Sequence, residues 1–274
     1  MKFAICNETF QDWPLDKAFR YARELGYTGI EIAPFTLHKN AYEISPARRA
    51  EVRRQIEAAD LEMIGLHWLL AFTEGYYLTS PDAAVRAKTA DYLGELARLC
   101  RDLGGKIMVL GSPQQRNLKP LGISHEEGMQ HAADTLRRAT HALEATGVTL
   151  AIEPLGPEEG DFLNETEHAV ALIEMIDSPL VRLHLDVKAM SSEPKGIVDI
   201  IRDSRDWVVH FHANDPNRRG PGMGEVDFVP IFQTLQEINY QGWVSVEVFD
   251  YSPGIEALAS ESIRNMRACL AKLH

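Results

Sequence analysis

The chain has 274 residues, with 28 lysines and arginines against 40 aspartates and glutamates, for a formal net charge of −12 with histidine neutral. Hydrophobic residues at 45% and charged residues at 25% are ordinary globular composition, which excludes disorder; the acidic balance argues against a protein that mainly grips phosphate backbones, since that affinity comes from lysine and arginine. No stretch reaches the roughly 18 to 20 uninterrupted apolar residues of a membrane span, and MKFAICNETF meets Asn7 and Glu8 too early for a secretory segment of roughly 7 to 15 apolar residues, so a cytoplasmic protein is expected.

One unit recurs along the chain: an amphipathic stretch, a brief turn, then a short β-branched run ending in a polar residue. The first strand is expected in residues 1–7. Leu15, Ala18, Phe19, Ala22 and Leu25 then form a helical stripe that Gly26 ends, and a second strand closes ARELGYTGIEI, residues 22–32. Ser45 followed by Pro46 starts another helix, the hydroxyl capping free amides while proline tolerates the first turn. The third strand falls in IEAADLEMIGLHW, residues 56–68. Leu93, Leu96, Cys100 and Leu103 repeat the stripe before Gly104, and the fourth strand lies in CRDLGGKIMVLGS, residues 100–112. Leu136, Ala139 and Leu143 precede Gly147. LEATGVTLAIEPL (143–155), IDSPLVRLHLDV (176–187), RDWVVHFHAND (205–215) and INYQGWVSVEVFD (238–250) supply strands five to eight.

Strands that alternate with helices at every step pair in parallel, and right-handed crossovers wrap the sheet in one direction. Eight units in this length fit a (β/α)₈ TIM barrel of roughly 250 residues. A doubly wound open sheet is disfavoured because QDWPLDKAF, not a GxGxxG loop, follows the first strand. No linker composition divides the chain, so residues 1–274 are expected to form a single TIM-barrel domain. Cys6, Cys100 and Cys269 make no CxxC pair and suit a reducing compartment as passive thiols.

Barrel chemistry gathers at the C-terminal strand ends. The polar residues there are Asn7, Glu8, Glu31, His67, Ser112, Glu153, Asp186, His210, His212 and Glu247. Glu153 ends TLAIE, Asp186 ends RLHLD, His212 ends VHFH and Glu247 ends VSVE. Isolated carboxylates among such apolar runs would be desolvated at a cost of several kcal/mol. A shared divalent cation is the simplest partner for three acids and an imidazole on four successive strands. His210, two residues before His212, shares its face one layer deeper and is expected either to support the site from behind or to be a core histidine. Trp68 either stacks on a sugar or joins the core. Gln114, Gln115, Arg116 and Asn117 form either a polar binding loop or a solvated turn, and Arg116, Lys188, Arg218 and Arg219 either meet an anion or are surface charge.

GYTGIEI, LAIEPLGPEEGDFLNETEHAVALI and above all PGMGEVDF followed by YQGWVSVE resemble the xylose isomerase-like TIM-barrel superfamily, within it the D-tagatose/D-psicose 3-epimerase group of sugar (phosphate) isomerases and epimerases. The resemblance covers essentially the whole chain. It implies one divalent ion, Mn²⁺ or Co²⁺ with Mg²⁺ or Zn²⁺ in relatives, held by Glu153, Asp186, His212 and Glu247, with Glu153 and Glu247 also the acid/base pair. It implies substrate contacts at Arg218 and Glu159, and His67 and Lys188 join them as candidates. The epimerases carry a histidine three residues after the metal aspartate, where this chain has Ala189, and an aromatic residue after strand four that GSPQQRN lacks; both departures bear on the substrate rather than the metal.

Chelation of a carbonyl and its neighbouring hydroxyl would stabilise an enediolate, so proton return to the other face gives epimerisation and to the other carbon isomerisation. The expected partner is thus a small sugar or sugar-derived molecule, with no nucleic acid and no membrane, and a homo-oligomer by analogy with the group. A dehydratase or lyase of the inosose dehydratase type uses the same enediolate. An endonuclease IV-like abasic-site nuclease would need more ligands and a basic surface, and a non-catalytic sugar-binding barrel would not need an intact quartet.

Overall fold

The computed structural model describes residues 1–273. Eight parallel strands close on themselves in chain order. They are β1 (Lys2–Cys6), β2 (Gly29–Ile32), β3 (Glu62–Leu66), β4 (Ile107–Leu110), β5 (Thr149–Ile152), β6 (Val181–Asp186), β7 (Val208–Ala213) and β8 (Trp243–Val246). Between and after them run α1 (Leu15–Leu25), α2 (Pro46–Ala58), α3 (Ala83–Leu103), α4 (His125–Thr146), α5 (Thr166–Ile176), the short α6 (Val187–Met190), α7 (Ile197–Asp203), α8 (Phe228–Glu237) and α9 (Ile255–Ala271). The eight strands and the closed (β/α)₈ barrel match the expectation from the alternating pattern.

Local chemistry sets the boundaries. Helix α1 ends at Gly26 (φ 97°) and α3 at Gly104 (φ 99°), backbone angles that cost a side chain but not glycine. Ser45 accepts a hydrogen bond from the Arg48 amide at 3.2 Å with Pro46 next to it, which starts α2 as the Ser-Pro pair predicts. The returns from helix to strand are tight turns, whereas the segments after β3, β4, β5 and β7 are long and gather at one end of the barrel.

Alternation along each strand sorts the core into two. Phe3, Ile5, Ile30, Ile32, Leu66, Leu183, Leu185, Phe211, Val244 and Val246 point outward and pack with the helices. The inward side is layered. Ala4, Ile64 and Trp243 form a separate small apolar cluster, with Ile107 against it. Above it, one strand repeat further on, stand Cys6, Glu31, His184 and His210, all buried. The register pairs His184 with His210 and Asp186 with His212, so β6 and β7 present two matched polar layers. A bulge between Ile30 and Glu31 adjusts β2 against β3. At that point Gly65 passes so close to β4 that a Cβ would lie 1.9 Å from the Ile107 carbonyl oxygen.

Candidate active site

The four strand-end residues converge. Glu153 follows β5, Asp186 ends β6, His212 lies on β7 and Glu247 follows β8, with exposures of 7%, 2%, 0% and 2%. Ligand atoms of Glu153, Asp186 and His212 lie within 4.8 Å of one another, and His212 Nδ1 stands 3.0 Å from Glu247 Oε2. Gly111 makes room for the first of them, since a Cβ there would stand 2.2 Å from Glu153 Oε2.

Each is held from behind. The two oxygens of Glu31 lie 3.3 and 3.4 Å from His212 Nε2, and one is 2.8 Å from His210 Nε2, so the two histidines share one carboxylate. This leaves His212 Nδ1 facing the mouth. Asp186 accepts from Asn214 Nδ2 at 2.6 Å and from the Ala189 amide at 2.8 Å. Glu247 accepts from Trp68 Nε1 at 2.6 Å. Glu153, by contrast, receives no hydrogen bond on its carboxylate from the described residues; His184 Nε2 stands 3.8 Å away.

Electrostatics separate these groups. Burial raises the Glu153 carboxyl well above its ordinary value, and repulsion from Glu247 and Asp186 adds to the effect. Asp186 is raised by burial too. Burial also opposes charge on Glu247, but the neighbouring His212 outweighs it and leaves that carboxyl below its usual range. Burial disfavours the His212 imidazolium, yet Glu247 and Glu31 overcome this and raise its pKa well above the ordinary value. Three carboxylates and one imidazole in so dry a pocket, with Glu153 lacking a donor, fit a divalent cation by donor chemistry: hard oxygens with a borderline nitrogen.

His184 escaped the sequence reading. It lies two residues before Asp186 and is fully buried, and neither ring nitrogen has a hydrogen-bond partner. Burial, then the neighbouring His212 and His210, hold its pKa well below the ordinary histidine value, so it is a neutral imidazole able to join Glu153, Asp186 and His212 around an ion. The alternation in RLHLD, with His184 and Asp186 on one face, is the signal that could have found it.

A cleft of about 350 Å³ opens above the quartet. Glu159, Arg218, Trp68, Gln114 and Gln115 line it together with Glu153 and Glu247. Lys188 reaches the same rim, donating to Glu159 Oε2 at 2.5 Å and lying 5.0 Å from the centre of the Phe249 ring. Burial lowers the Lys188 ammonium's pKa, but Asp186 and Glu159 more than offset this and keep it charged. His67 is not among the residues lining the cleft: its ring is fully buried with Nε2 2.6 Å from Glu8 Oε2, and one of its ring nitrogens lies within 4.8 Å of a Glu247 oxygen. Trp68, half-buried, stacks on Phe249 instead of joining the core.

The cations sort differently from their sequence context. Arg116 is neither surface charge nor part of a solvated turn. It is 2% exposed, donates to the Glu153 carbonyl at 2.8 Å, and burial lowers its pKa to about 10. Arg219 pairs with Asp250 at 2.8 Å. The glycine-rich signature proves architectural: buried Asp215 accepts from the Gly222 and Val226 amides at 2.7 and 3.0 Å, and a Cβ on Gly224 would stand 2.5 Å from its carboxylate. Cys6 and Cys100 are buried free thiols, and burial pushes the Cys6 thiol up to about 11.

A sequence profile described as xylose isomerase-like TIM barrel matches residues 19–269. The chain belongs to the xylose isomerase-like TIM-barrel family. It is 25% identical to a probable ketose 3-epimerase of Synechocystis sp., over 91% of this chain and 88% of that one. It is 27% identical to the 3-dehydro-D-guloside 4-epimerase of Escherichia coli, over 90% and 92% of the two chains. The crystal structure of D-psicose 3-epimerase from Clostridium cellulolyticum H10 superposes with a TM-score of 0.85 at 20% identity, covering 98% of this chain and 99% of that one, and so shares the fold. The two sequence relatives are named as sugar epimerases, which supports an enzyme of the isomerase class. No described helix is long and apolar enough to cross a membrane.

Proposed function

We propose that the chain is a divalent-metal-dependent sugar isomerase or epimerase that moves a proton beside the carbonyl of a ketose or related small polyhydroxy compound, through an enediolate. The observation that carries this reading is the pair of buried glutamates, Glu153 and Glu247, which enter one mouth after β5 and β8 with Asp186 and His212 on the two strands between them. The relatives' names support it, since both describe inversion of a sugar carbon next to a carbonyl.

Glu153, Asp186, His212 and Glu247 would hold the ion, Mn²⁺ or Co²⁺ ahead of Mg²⁺ or Zn²⁺, and when bound it supplies Lewis acidity to the carbonyl oxygen. The chain's own groups do the rest. One glutamate takes the carbon-bound proton, and the other returns a proton from the opposite side. Trp68 fixes the Glu247 carboxylate by its indole N–H, Asn214 fixes Asp186, and Glu31 fixes the ring of His212. Glu159, with one oxygen tied to Lys188, and Arg218 at the rim are assigned to the substrate's hydroxyls. Walls that exclude water strengthen each of these interactions.

The test is turnover in deuterated water. Metal-loaded protein given ketoses, oxo-glycosides and inositol ketones is expected to yield an epimer or isomer carrying carbon-bound deuterium. Glu153→Gln and Glu247→Gln are each expected to lower kcat/KM by about 10²- to 10⁴-fold. Undiminished turnover in either variant, or product free of deuterium, overturns the reading.

A further inference from the structure

Beyond its acid pair the cleft is lined by aromatic side chains. Trp68, whose indole meets Glu247, and Phe72 both line it, and Phe35 contacts both rings, 5.6 Å from Trp68 and 4.8 Å from Phe72, centre to centre. Phe72 is 63% exposed, the most exposed large hydrophobic residue among those described, and it lines the cleft. A phenyl ring left in water at the lip of a cleft is a surface waiting for an apolar face.

The backbone holds it there. Trp68 and Phe72 both sit in the left-handed region, at φ 53° and 60°, where bulky side chains are rarely found. Ser112 (φ 46°) and Arg218 (φ 71°) on the other sides of the same cleft do so as well. Conformations of this kind persist where the surrounding structure over-determines them, and they gather at ligand clamps. Gln114 and Gln115 line the same cleft with no side-chain hydrogen bond to the described residues.

We propose that the outer half of the cleft is a second sugar subsite, so that the substrate is a two-ring oxo-glycoside: one ring presents its carbonyl to the quartet, and a second sugar ring lays its C–H face on Phe72 and turns its hydroxyls to Gln114 and Gln115. An exposed phenyl ring beside amides with unused hydrogen-bonding groups suits the C–H face and the hydroxyls of a sugar ring better than an apolar chain. This deepens the proposed function and rests on its carbonyl chemistry for the inner ring.

The test compares metal-loaded wild type and Phe72→Ala on two probes: methyl 3-oxoglucopyranoside, and the same oxo ring with glucose in place of the methyl group. Wild type is expected to show a KM at least tenfold lower for the two-ring probe, a ratio worth about 1.4 kcal/mol. In Phe72→Ala the ratio is expected to fall below threefold. Equal KM values in wild type, or a ratio that survives in both Phe72→Ala and Gln114→Ala, overturns the subsite. Calorimetry with the plain disaccharide separates this failure from that of the catalytic reading. Binding weakened fivefold or more by Phe72→Ala supports the subsite even if neither probe turns over, and turnover confined to free ketoses, with no disaccharide binding, overturns it while leaving the epimerase intact. Sedimentation covers the remaining occupant: a wild-type dimer that Phe72→Ala converts to monomers, with the sugar ratio unmoved, shows that the ring belongs to a subunit contact and overturns the proposal.

Discussion

His212 is held from both ends of its ring, by Glu31 at Nε2 and towards Glu247 at Nδ1. A ligand imidazole oriented by a carboxylate behind it is more basic and loses less freedom on binding, so Glu31→Ala is expected to weaken metal affinity about 10- to 100-fold. Titration of the variant with Mn²⁺ measures this, and an affinity equal to wild type would remove Glu31 from the role. The quartet was legible because each member stands at the end of an apolar run, where a solvated explanation fails. His184 was hidden inside such a run, and Arg116 was hidden by its neighbours: GSPQQRN is polar throughout, and nothing local shows that one of its side chains turns inward beneath Glu153. His67 stands at a strand end as expected, but its pairing with Glu8 beneath the cleft joins two distant strands and has no signal in the sequence around either residue.

At the scale of elements, α2 and α3 are pinned by one buried group. Arg49 donates to Glu95 at 2.5 Å and to Asp102 at 2.9 Å, both on α3, with side-chain exposures of 10%, 11% and 32%. Arg49→Met leaves Glu95 only its half-exposed partner Arg98, which donates to it at 2.8 Å, and is expected to cost about 2 kcal/mol, read as a lowered denaturation midpoint. Burial raises the Asp102 carboxyl, but Arg101 and Arg49 outweigh it and hold it below its usual range. The native state therefore binds fewer protons than the unfolded chain near that range. Its share of stability is present above the unfolded value of about 3.9 and lost as pH falls through the lower folded value. The acid limb of stability against pH is thus expected to be shallower in Arg49→Met; an identical slope would place the linkage elsewhere. Helix boundaries were readable from Ser45, Gly26 and Gly104 because caps are local chemistry, whereas the short α6, started by Asp186 accepting from Ala189, could not be separated from the strand it ends.

For the whole molecule, an ion that binds only the folded barrel adds stability by mass action, about 2.7 kcal/mol at one hundred times its Kd. Removing it with a chelator is expected to lower Tm by roughly 5 °C or more, and Glu153→Gln should show a smaller drop; equal Tm with and without chelator in wild type counts against the ion. The closed barrel followed from eight repeats of one pattern, but which strands press hardest on each other did not. Strands β3 and β4 share only two register pairs, Gly65 with Ile107 and Leu66 with Met108, against four between β4 and β5. The loops that leave these two strands are nonetheless joined to each other, Leu70 N–H to Ser112 Oγ at 3.1 Å and Leu78 N–H to the Gln115 carbonyl at 2.7 Å, and both line the cleft, with Phe72 on one and Gln114 on the other. The barrel thus has a seam that its loops, more than its strands, hold shut. The two loops that line the mouth thereby also tie the least-paired edge of the sheet, so the shape of the mouth and the closure of that edge rest on the same few hydrogen bonds.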